Sequence, residues 1–392
     1  MTTIDSTREI QSEMAEWRRD IHAHPETAFE EVRTADFVAR KLESFGLEVH
    51  QGLAKTGVVG TLRSGSGNRS IALRADMDAL PMAEANTFSH RSRHPGKMHA
   101  CGHDGHTTML LGAAKVLAQS RTFDGAAIFI FQPAEEQIGG GRVMIEEGLF
   151  DKFPVDSVFG MHNWPGLEVG RFGLRSGPMA ACADNFEITV QGRGAHAAMP
   201  HHGVDPIVAG AALVQSLQTI VSRNLHPIDS GVLSVTQFHA GDAFNVIPDA
   251  AVLRGTARAF TPGVRDALEA GIRRVSAGVA AAYGANIDAN YMRGYPPLVN
   301  WPRETDIAAT VLEALVGAEN VIRDAQPTMG GEDFAYMLEK KPGCFVFIGN
   351  GPGEGGCMLH NPHYDFNDEI LPLGSAYWVR LVEHVLAKTW SG

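Results

Sequence analysis

Apolar residues in the first half of the chain alternate between helical spacing and short uninterrupted runs. Ile10, Met14, Trp17 and Ile21 recur every three or four residues, which places them on one face of a helix. The run 126–131 is uniformly apolar, which is typical of a strand buried in a parallel sheet. This alternation predicts an α/β domain. The predicted helices cover 10–21, 34–45 with Thr34 as N-cap, 107–120 and 142–147, and the predicted strands cover 58–63, 71–75, 126–131 and 155–161.

The pattern changes near Asp184, where strands and helices begin to follow the order β-α-β-β-α-β. This order matches a ferredoxin-like unit. We therefore expect a main α/β domain in two parts, 1–183 and 295–392, interrupted by an inserted domain over 184–294. The predicted strands of the insert cover 186–190, 232–238, 251–260 and 287–292, its helices cover 204–221 and 262–283 with Thr261 as N-cap, and the last part has helices at 304–316 and 373–388 and a strand at 344–349.

Composition narrows the class of protein. The 392 residues are 44% hydrophobic and 20% charged, which is typical of a globular protein with a sizeable core. The formal net charge of −12, without a basic stripe or tail, argues against nucleic acid or an anionic membrane as a partner. The four cysteines form no CxxC pair, and we find neither an apolar signal core nor a run long enough to span a membrane. We expect a cytoplasmic protein.

The densest cluster of reactive side chains is the stretch 99–106, which holds three histidines, a cysteine and an aspartate. Cys101 and His103 are one residue apart, so both side chains can point into one cavity. Thiolate, imidazole and carboxylate are the groups that bind transition metals. The alternative is a polar loop around a buried structural cysteine.

Further candidate ligands follow the predicted strands. Asp76 and Asp78 come after one strand, Glu135 and Glu136 after the next, and His162 after a third. Parallel strands bring these ends to one edge of a sheet, where α/β proteins place their sites. Adjacent glutamates there favour a bound cation, with one as ligand and the other as general base, and Asp78 is suited to orient a ligand histidine. We assign both Asp76 and Asp78 to supporting positions beside the ligands. The alternatives are strand-end turns and a solvated acidic loop.

The insert contributes a second set of candidates. His196 lies in a glycine-rich loop and is suited to donate a hydrogen bond to a developing oxyanion, the alternative being a mobile surface loop. Asn245 and Arg258 form a polar pair that is suited to hold a carboxylate, although they also fit ordinary surface residues. In the last part of the chain, His360 follows another apolar strand and is a further candidate ligand.

Taken together, these motifs resemble the amidohydrolase branch of the aminoacylase/carboxypeptidase family of two-metal metallohydrolases. That branch includes hippurate hydrolases, indole-acetyl-amino-acid hydrolases and N-acetyldiaminopimelate deacetylases. The matching stretches occur in family order and span nearly the whole chain. They are 73–81, 99–106, 131–136, 160–163, 192–201, 244–248 and 329–334.

The resemblance implies a role for each candidate. Two divalent metal ions, manganese or zinc with cobalt and nickel also fitting, would be bound by a main domain of α/β/α type. The insert would serve as lid and dimerisation domain, and His196 would reach the active site of the other subunit. The wider family has a ligand histidine where Asp76 stands and a bridging aspartate where Cys101 stands. The implied ligands are Cys101 as a bridge, His103, Glu136, His162 and His360, with Glu135 as general base and Asn245, Arg258 and Arg293 as contacts to the substrate carboxylate.

The implied activity is hydrolysis of N-acyl-L-amino acids, with acetyl, benzoyl or aryl-acetyl groups, by a metal-activated water. A dipeptidase or carboxypeptidase using the same site is the second reading, and a non-catalytic metal-dependent binder is the third. We expect a homodimer, with a small N-acyl amino acid as substrate and no nucleic acid or membrane partner.

Overall fold

The computed structural model describes residues 3–352 and 357–388. Its helices are α1 (Thr3–Glu9), α2 (Gln11–Ala23), α3 (Val32–Ser44), α4 (His103–Ser120), α5 (Gly140–Glu146), α6 (Leu149–Lys152), α7 (Pro206–Thr219), α8 (Pro262–Tyr283), α9 (Pro302–Val316), α10 (Ala335–Leu338) and α11 (Leu371–Val385). Its strands are β1 (Glu48–Leu53), β2 (Gly57–Ser64), β3 (Ser70–Asp76), β4 (Gly125–Gln132), β5 (Ser157–Trp164), β6 (Phe172–Gly173), β7 (Gly177–Ala180), β8 (Ala183–Gln191), β9 (Ala195–His196), β10 (Gly231–Ala240), β11 (Val246–Ile247), β12 (Ala250–Ala259), β13 (Asn286–Tyr295), β14 (Leu298–Asn300), β15 (Val321–Ile322) and β16 (Gly343–Gly349). Among the described residues, no helix is both long enough and apolar enough to cross a membrane.

The chain divides into two compact units. The larger unit comprises Met1–Gly177, Val299–Gln326 and Tyr336–Gly392, and the smaller unit comprises Pro178–Leu298 and Pro327–Ala335. Residues 178–298 thus group with residues 327–335, while the chain before and between these segments belongs to the larger unit.

The larger unit is built on a sheet with the strand order β1-β2-β4-β3-β5-β16-β6-β15. Its centre is parallel, because β3 pairs in parallel with β4 and β5, and β5 pairs in parallel with β16. Every residue of β4 is buried, which explains its uniformly apolar sequence. One face of the sheet, through residues such as Leu73 and Phe129, packs on α2, α3, α4, α9 and α11. The fold is α/β, as the sequence predicts.

Two boundaries differ from the sequence-based expectation. His162 was predicted just beyond its strand, but β5 continues through Trp164 because β16 pairs with it along this stretch. Thr34 was predicted as an N-cap and lies inside α3, which begins at Val32. The carboxylate of Glu26 accepts hydrogen bonds from the backbone N–H groups of Arg33 and Thr34 at 3.0 and 2.9 Å. This side chain from the preceding loop replaces the predicted cap.

The smaller unit contains an antiparallel sheet with the order β10-β12-β8-β13, together with α7 and α8. Along the chain these elements run β8-α7-β10-β12-α8-β13, which is the predicted β-α-β-β-α-β order. The predicted start of α8 is confirmed, since the Thr261 side chain accepts a hydrogen bond from the N–H of Val264. Buried side chains from both helices and all four strands form one core.

Loss of this cap is expected to have a modest effect on stability. Thr261→Ala should lower the free energy of unfolding by about 1 kcal/mol, because one N–H at the start of α8 loses its partner. The measurement is denaturant unfolding of the full chain. The matched control is Thr219→Ala at the exposed end of α7, for which we expect a change within about 0.5 kcal/mol. Equal effects in the two variants would contradict the capping role.

Candidate metal centre

The candidate site lies where the central parallel strands of the larger unit end. β3 ends on Asp76, and β4 is followed by Glu135 and Glu136. His162 lies near the end of β5 and is buried. Cys101 is also buried and precedes α4, whose first residue is His103. The sheet edge thus collects side chains that are far apart in sequence.

The five predicted ligands fall into two groups that share one sulfur atom. Cys101, His103 and His162 place one ligand atom each within 4.8 Å of one another, and so do Cys101, Glu136 and His360. The Sγ of Cys101 lies 3.4 Å from Nε2 of His162, and Nε2 of His360 lies 3.3 Å from Oε1 of Glu136. A shared thiolate between two groups of this kind is the arrangement that a bridging ligand requires.

His103 and Glu136 show that these residues fit a cation. His103 Nδ1 donates to the backbone oxygen of Asp78 at 2.9 Å, which directs Nε2 into the site. Within the described residues, neither this Nε2 nor Oε1 of Glu136 has a hydrogen-bond partner, although both atoms are buried and lie 3.9 Å apart. Two buried atoms with lone pairs and no hydrogen-bond donor cost free energy unless a cation lies between them. A divalent ion meets that requirement, and the hydrogen bond to Asp78 holds the His103 ring in the orientation needed to bind it.

The electrostatics of the site also favour added positive charge. Burial raises the pKa of the Cys101 thiol well above its usual range, and the Glu136 and Glu135 carboxylates raise it further. Burial opposes protonation of His103, but Asp76 and Asp78 raise its pKa to about 10. A coordinated cation reverses both tendencies, since it favours thiolate and neutral imidazole.

Asp78 has a second task at the Glu135–Glu136 turn. Its two carboxylate oxygens accept hydrogen bonds from the backbone N–H groups of Glu135 and Glu136, each at 3.0 Å. Asp78 therefore orients a histidine through its backbone oxygen and anchors both glutamates through its carboxylate. Glu135 is buried and shares a third group of ligand atoms with His103 and Glu136.

Asp76, predicted in a supporting position beside the ligands, lies in a buried network whose partner His106 was not among the candidates. Asp76 Oδ1 lies 2.6 Å from Nδ1 of His106, and Arg74 donates to its other oxygen at 2.7 Å. Burial opposes ionisation of Asp76, but His103 and Arg74 hold its pKa well below the usual range. The His106 ring packs edge-on against His162, with centroids 4.4 Å apart. The signal in the sequence was the position of His106 one helical turn after His103.

The smaller unit brings two of the predicted residues together. His196 and Asn245 line one cavity of about 670 Å³. Val246 pairs with His196, and the backbone oxygen of Asn245 accepts a hydrogen bond from Ala197 at 3.0 Å. These contacts hold the two loops against each other.

The two predicted arginines lie elsewhere in this unit. Arg258 lies on β12 and does not line that cavity. Its Nη1 lies near Gly331, 3.7 Å from where a Cβ would stand on that glycine. Arg293 forms ion pairs with Asp266 and Glu269 of α8 at 2.6 and 2.7 Å. The guanidinium of Arg293 is therefore already paired with α8. Of the two arginines, Arg258 is the better placed to bind a carboxylate.

His22 lies in a buried polar cluster with Asp104 of α4 and Glu84. From its surroundings we predict that the stability of the protein depends on pH. Its ring nitrogens lie 2.8 Å from Asp104 and 3.2 Å from Glu84, with Arg18 also close to Asp104. Burial opposes protonation, but these two carboxylates raise the pKa of His22 to about 9. Because this value exceeds the unfolded value of 6.5, the contribution to stability is full below pH 6.5 and is lost as the pH rises to 9.

Between pH 6.5 and 9 the wild type should lose about 3 kcal/mol more of its free energy of unfolding than His22→Asn. The measurement is denaturant unfolding of chelator-treated protein over this range. His94→Asn is the control, because His94 is exposed, and it should keep the wild-type slope. A His22→Asn slope equal to that of the wild type would contradict the assignment.

Comparison with known proteins places the chain in a family. The model of peptidase family M20/M25/M40 matches residues 72–384. Hippurate hydrolase of Campylobacter jejuni is 43% identical over 381 residues, which cover 97% of this chain and 98% of that protein. N-acetylcysteine deacetylase of Bacillus subtilis is 40% identical over 372 residues, with 94% and 96% covered.

A solved structure agrees. The YXEP protein of Bacillus subtilis, described as a dinuclear metal-binding peptidase of the M20 family, matches with a TM-score of 0.85 at 35% identity over 97% of this chain and 100% of that chain. The family model covers most of the chain, and both curated relatives match over nearly their full length. The chain therefore belongs to peptidase family M20/M25/M40.

Proposed function

We propose that the protein is a metal-dependent amidohydrolase that cleaves the amide bond of N-acyl amino acids, releasing a carboxylic acid and an amino acid. The observation that carries this proposal is the pair of ligand groups that share Cys101, with the Glu135 carboxylate beside them. Binding alone would not require a second buried carboxylate at such a site. The names of two relatives, hippurate hydrolase and N-acetylcysteine deacetylase, each specify an N-acylated amino acid, which supports this substrate class.

Cys101, His103, Glu136, His162 and His360 would hold two divalent ions, with Cys101 common to both. Such ions lower the pKa of a water molecule and polarise a carbonyl oxygen. The thiolate favours zinc, whereas the carboxylate and imidazoles also suit manganese, cobalt and nickel. We propose zinc or manganese as the native ion.

Side chains of this protein would carry out the proton transfers and bind the substrate. Glu135 accepts the proton of the attacking water and delivers it to the leaving amine, so no covalent acyl-enzyme forms. His196 donates a hydrogen bond to the oxyanion that develops on the amide carbonyl. Asn245 and Arg258 bind the substrate carboxylate, and Arg293 is a weaker candidate because of its ion pairs with α8.

We also propose a homodimer formed through the smaller unit, in which His196 acts in the site of the partner subunit. Strand β10 is an edge strand of its sheet, and the side chain of Phe238 on it is 40% exposed. Ile207 and Val208 on α7 are 41% and 51% exposed. An edge strand and exposed apolar side chains each favour association with a second copy. Because Asn245 lines the same cavity as His196, a partner that supplies one of them supplies both.

A cytoplasmic location completes the proposal. Within the described residues, none of the four cysteines forms a disulfide, which fits a reducing compartment.

The substrate class is tested by hydrolysis of a matched panel. N-acetyl, N-benzoyl and indole-acetyl derivatives of one amino acid should release it, whereas the corresponding free dipeptides should not. Hydrolysis of the dipeptides in preference to the acyl derivatives would indicate a peptidase. No hydrolysis of either class by metal-loaded protein would reject the proposed function.

The role of His196 in the partner site is tested by mixing inactive variants. Glu135→Ala and His196→Ala should each be nearly inactive alone. After subunit exchange, about half of the dimers are mixed and each has one complete site, so roughly one quarter of wild-type activity should return. The measurement is hydrolysis after mixing, with exchange verified by differently tagged subunits. Verified mixed dimers without activity, or a fully active monomer, would contradict the role.

A further inference from the structure

The turn that carries the two site glutamates is anchored by two buried carboxylates, those of Asp78 and Glu31. Ala134, Glu135 and Glu136 present three consecutive backbone N–H groups, and each donates to a carboxylate oxygen. The N–H of Ala134 donates to Oε1 of Glu31 at 2.9 Å. Glu31 is fully buried at the start of α3, and its Oε2 accepts the hydroxyl of Thr56 at 2.7 Å. Neither Glu31 nor Thr56 was among the candidates from sequence.

The backbone of Ala134 needs this support. Its φ of 55° lies in the left-handed region, which costs a residue with a Cβ free energy relative to glycine. Its carbonyl oxygen accepts hydrogen bonds from Gly139 and Gly140 at 3.1 and 3.0 Å, so Glu31 holds one end of the residue and this loop the other. Gly140 approaches so closely that a Cβ there would lie 1.8 Å from the carbonyl oxygen of Pro133. Without Glu31, a fully buried N–H would lose its partner and the strained turn would be released.

We propose that Glu31 is a positioning residue, which holds Ala134 in its left-handed conformation and thereby fixes the directions of the Glu135 and Glu136 side chains. The inference rests on the proposed function for its kinetic consequence, but not for its consequence on ion binding. Glu31 acts by accepting a hydrogen bond rather than by its charge. A glutamine can accept from Ala134 through its carbonyl oxygen and donate to the Thr56 hydroxyl through its amide.

The test compares Glu31→Ala with Glu31→Gln, and uses Glu30→Ala as control because Glu30 is the exposed neighbour. Glu31→Ala should lower kcat for an N-acyl amino acid about 10- to 100-fold, because the Glu135 and Glu136 side chains lose their directions. KM should change less than about threefold, because the residues that bind the substrate are unchanged. Its affinity for zinc, measured on metal-depleted protein against a chromophoric chelator, should fall about tenfold. Glu31→Gln and Glu30→Ala should stay within about threefold of the wild type in both measurements.

Wild-type kcat and zinc affinity in folded Glu31→Ala would overturn the inference. It would also be overturned if Glu31→Gln lost both properties as fully as Glu31→Ala. If Glu31→Ala does not fold, Thr56→Val serves instead, because it removes only the hydroxyl that donates to Glu31. This variant should bind zinc about two- to fivefold more weakly than the wild type, and an unchanged affinity would overturn the inference. A wild type that hydrolyses no N-acyl amino acid would reject the proposed function, while the zinc comparison would still decide the role of Glu31.

Discussion

Glu135→Gln is expected to lower kcat for an N-acyl amino acid about a thousandfold while the protein keeps its bound metal. Glutamine has nearly the shape of glutamate but cannot take a proton from the attacking water. The two ligand groups that share Cys101 do not include Glu135, so they remain complete in this variant. Glu135→Gln thus separates proton transfer from metal binding.

The measurement is kcat together with metal content by elemental analysis after gel filtration. Glu136→Gln should lose metal as well as activity, because Glu136 belongs to one of the groups that share Cys101. Glu146→Gln is the surface control, since its side chain is 63% exposed, and it should match the wild type. Turnover by Glu135→Gln at the wild-type rate would show that another group is the base.

Cys101→Ala is expected to have an equally large effect through metal binding. Both ligand groups lose a member in this variant, because the Cys101 sulfur belongs to each. Bound metal should fall from about two ions per chain to less than one, and kcat should fall about a thousandfold. Added zinc or manganese should no longer raise the melting temperature of the variant as it does that of the wild type.

Cys344→Ala is the matched control for this variant. Cys344 is also fully buried, but it lies in β16 and in neither of the two groups. It should lose some stability through a small cavity and keep its metal and activity. If Cys101→Ala retained two ions with wild-type affinity, the thiolate bridge would be refuted.

The elements that could be predicted from sequence are those whose burial is uniform or strictly periodic. β4 is buried at every residue and was found as an apolar run, and α8 was located from Thr261 and the proline after it. β1 was missed because among its residues only Leu53 is buried, so it shows no apolar pattern. The start of α3 was misplaced because Glu26, a side chain outside the helix, supplies the cap.

The same distinction applies to the site. Glu136 and His162 were recognisable because parallel strands deliver their ends to one sheet edge, whatever the details of the loops between them. Cys101 and His103 stood out in a short loop dense in metal-binding side chains, and the resemblance to the family supplied the complete ligand set. Glu31 could not be identified, because its partner Ala134 is 103 residues away and the contact depends on the packing of α3 beside the sheet. The link between Asp76 and His106 likewise requires β3 and α4 to be placed side by side. Contacts of this kind follow from tertiary structure and carry no local pattern.

The proposed function is the hydrolysis of N-acyl amino acids by this site when its residues hold two divalent metal ions. It is tested most directly by returning zinc or manganese in steps to chelator-treated protein while following amino-acid release from N-benzoylglycine and N-acetyl amino acids. We predict no release without metal, and activity that rises with added metal and levels off at about two bound ions per chain. Absence of hydrolysis at every metal content, or hydrolysis that survives complete metal removal, would contradict the claim.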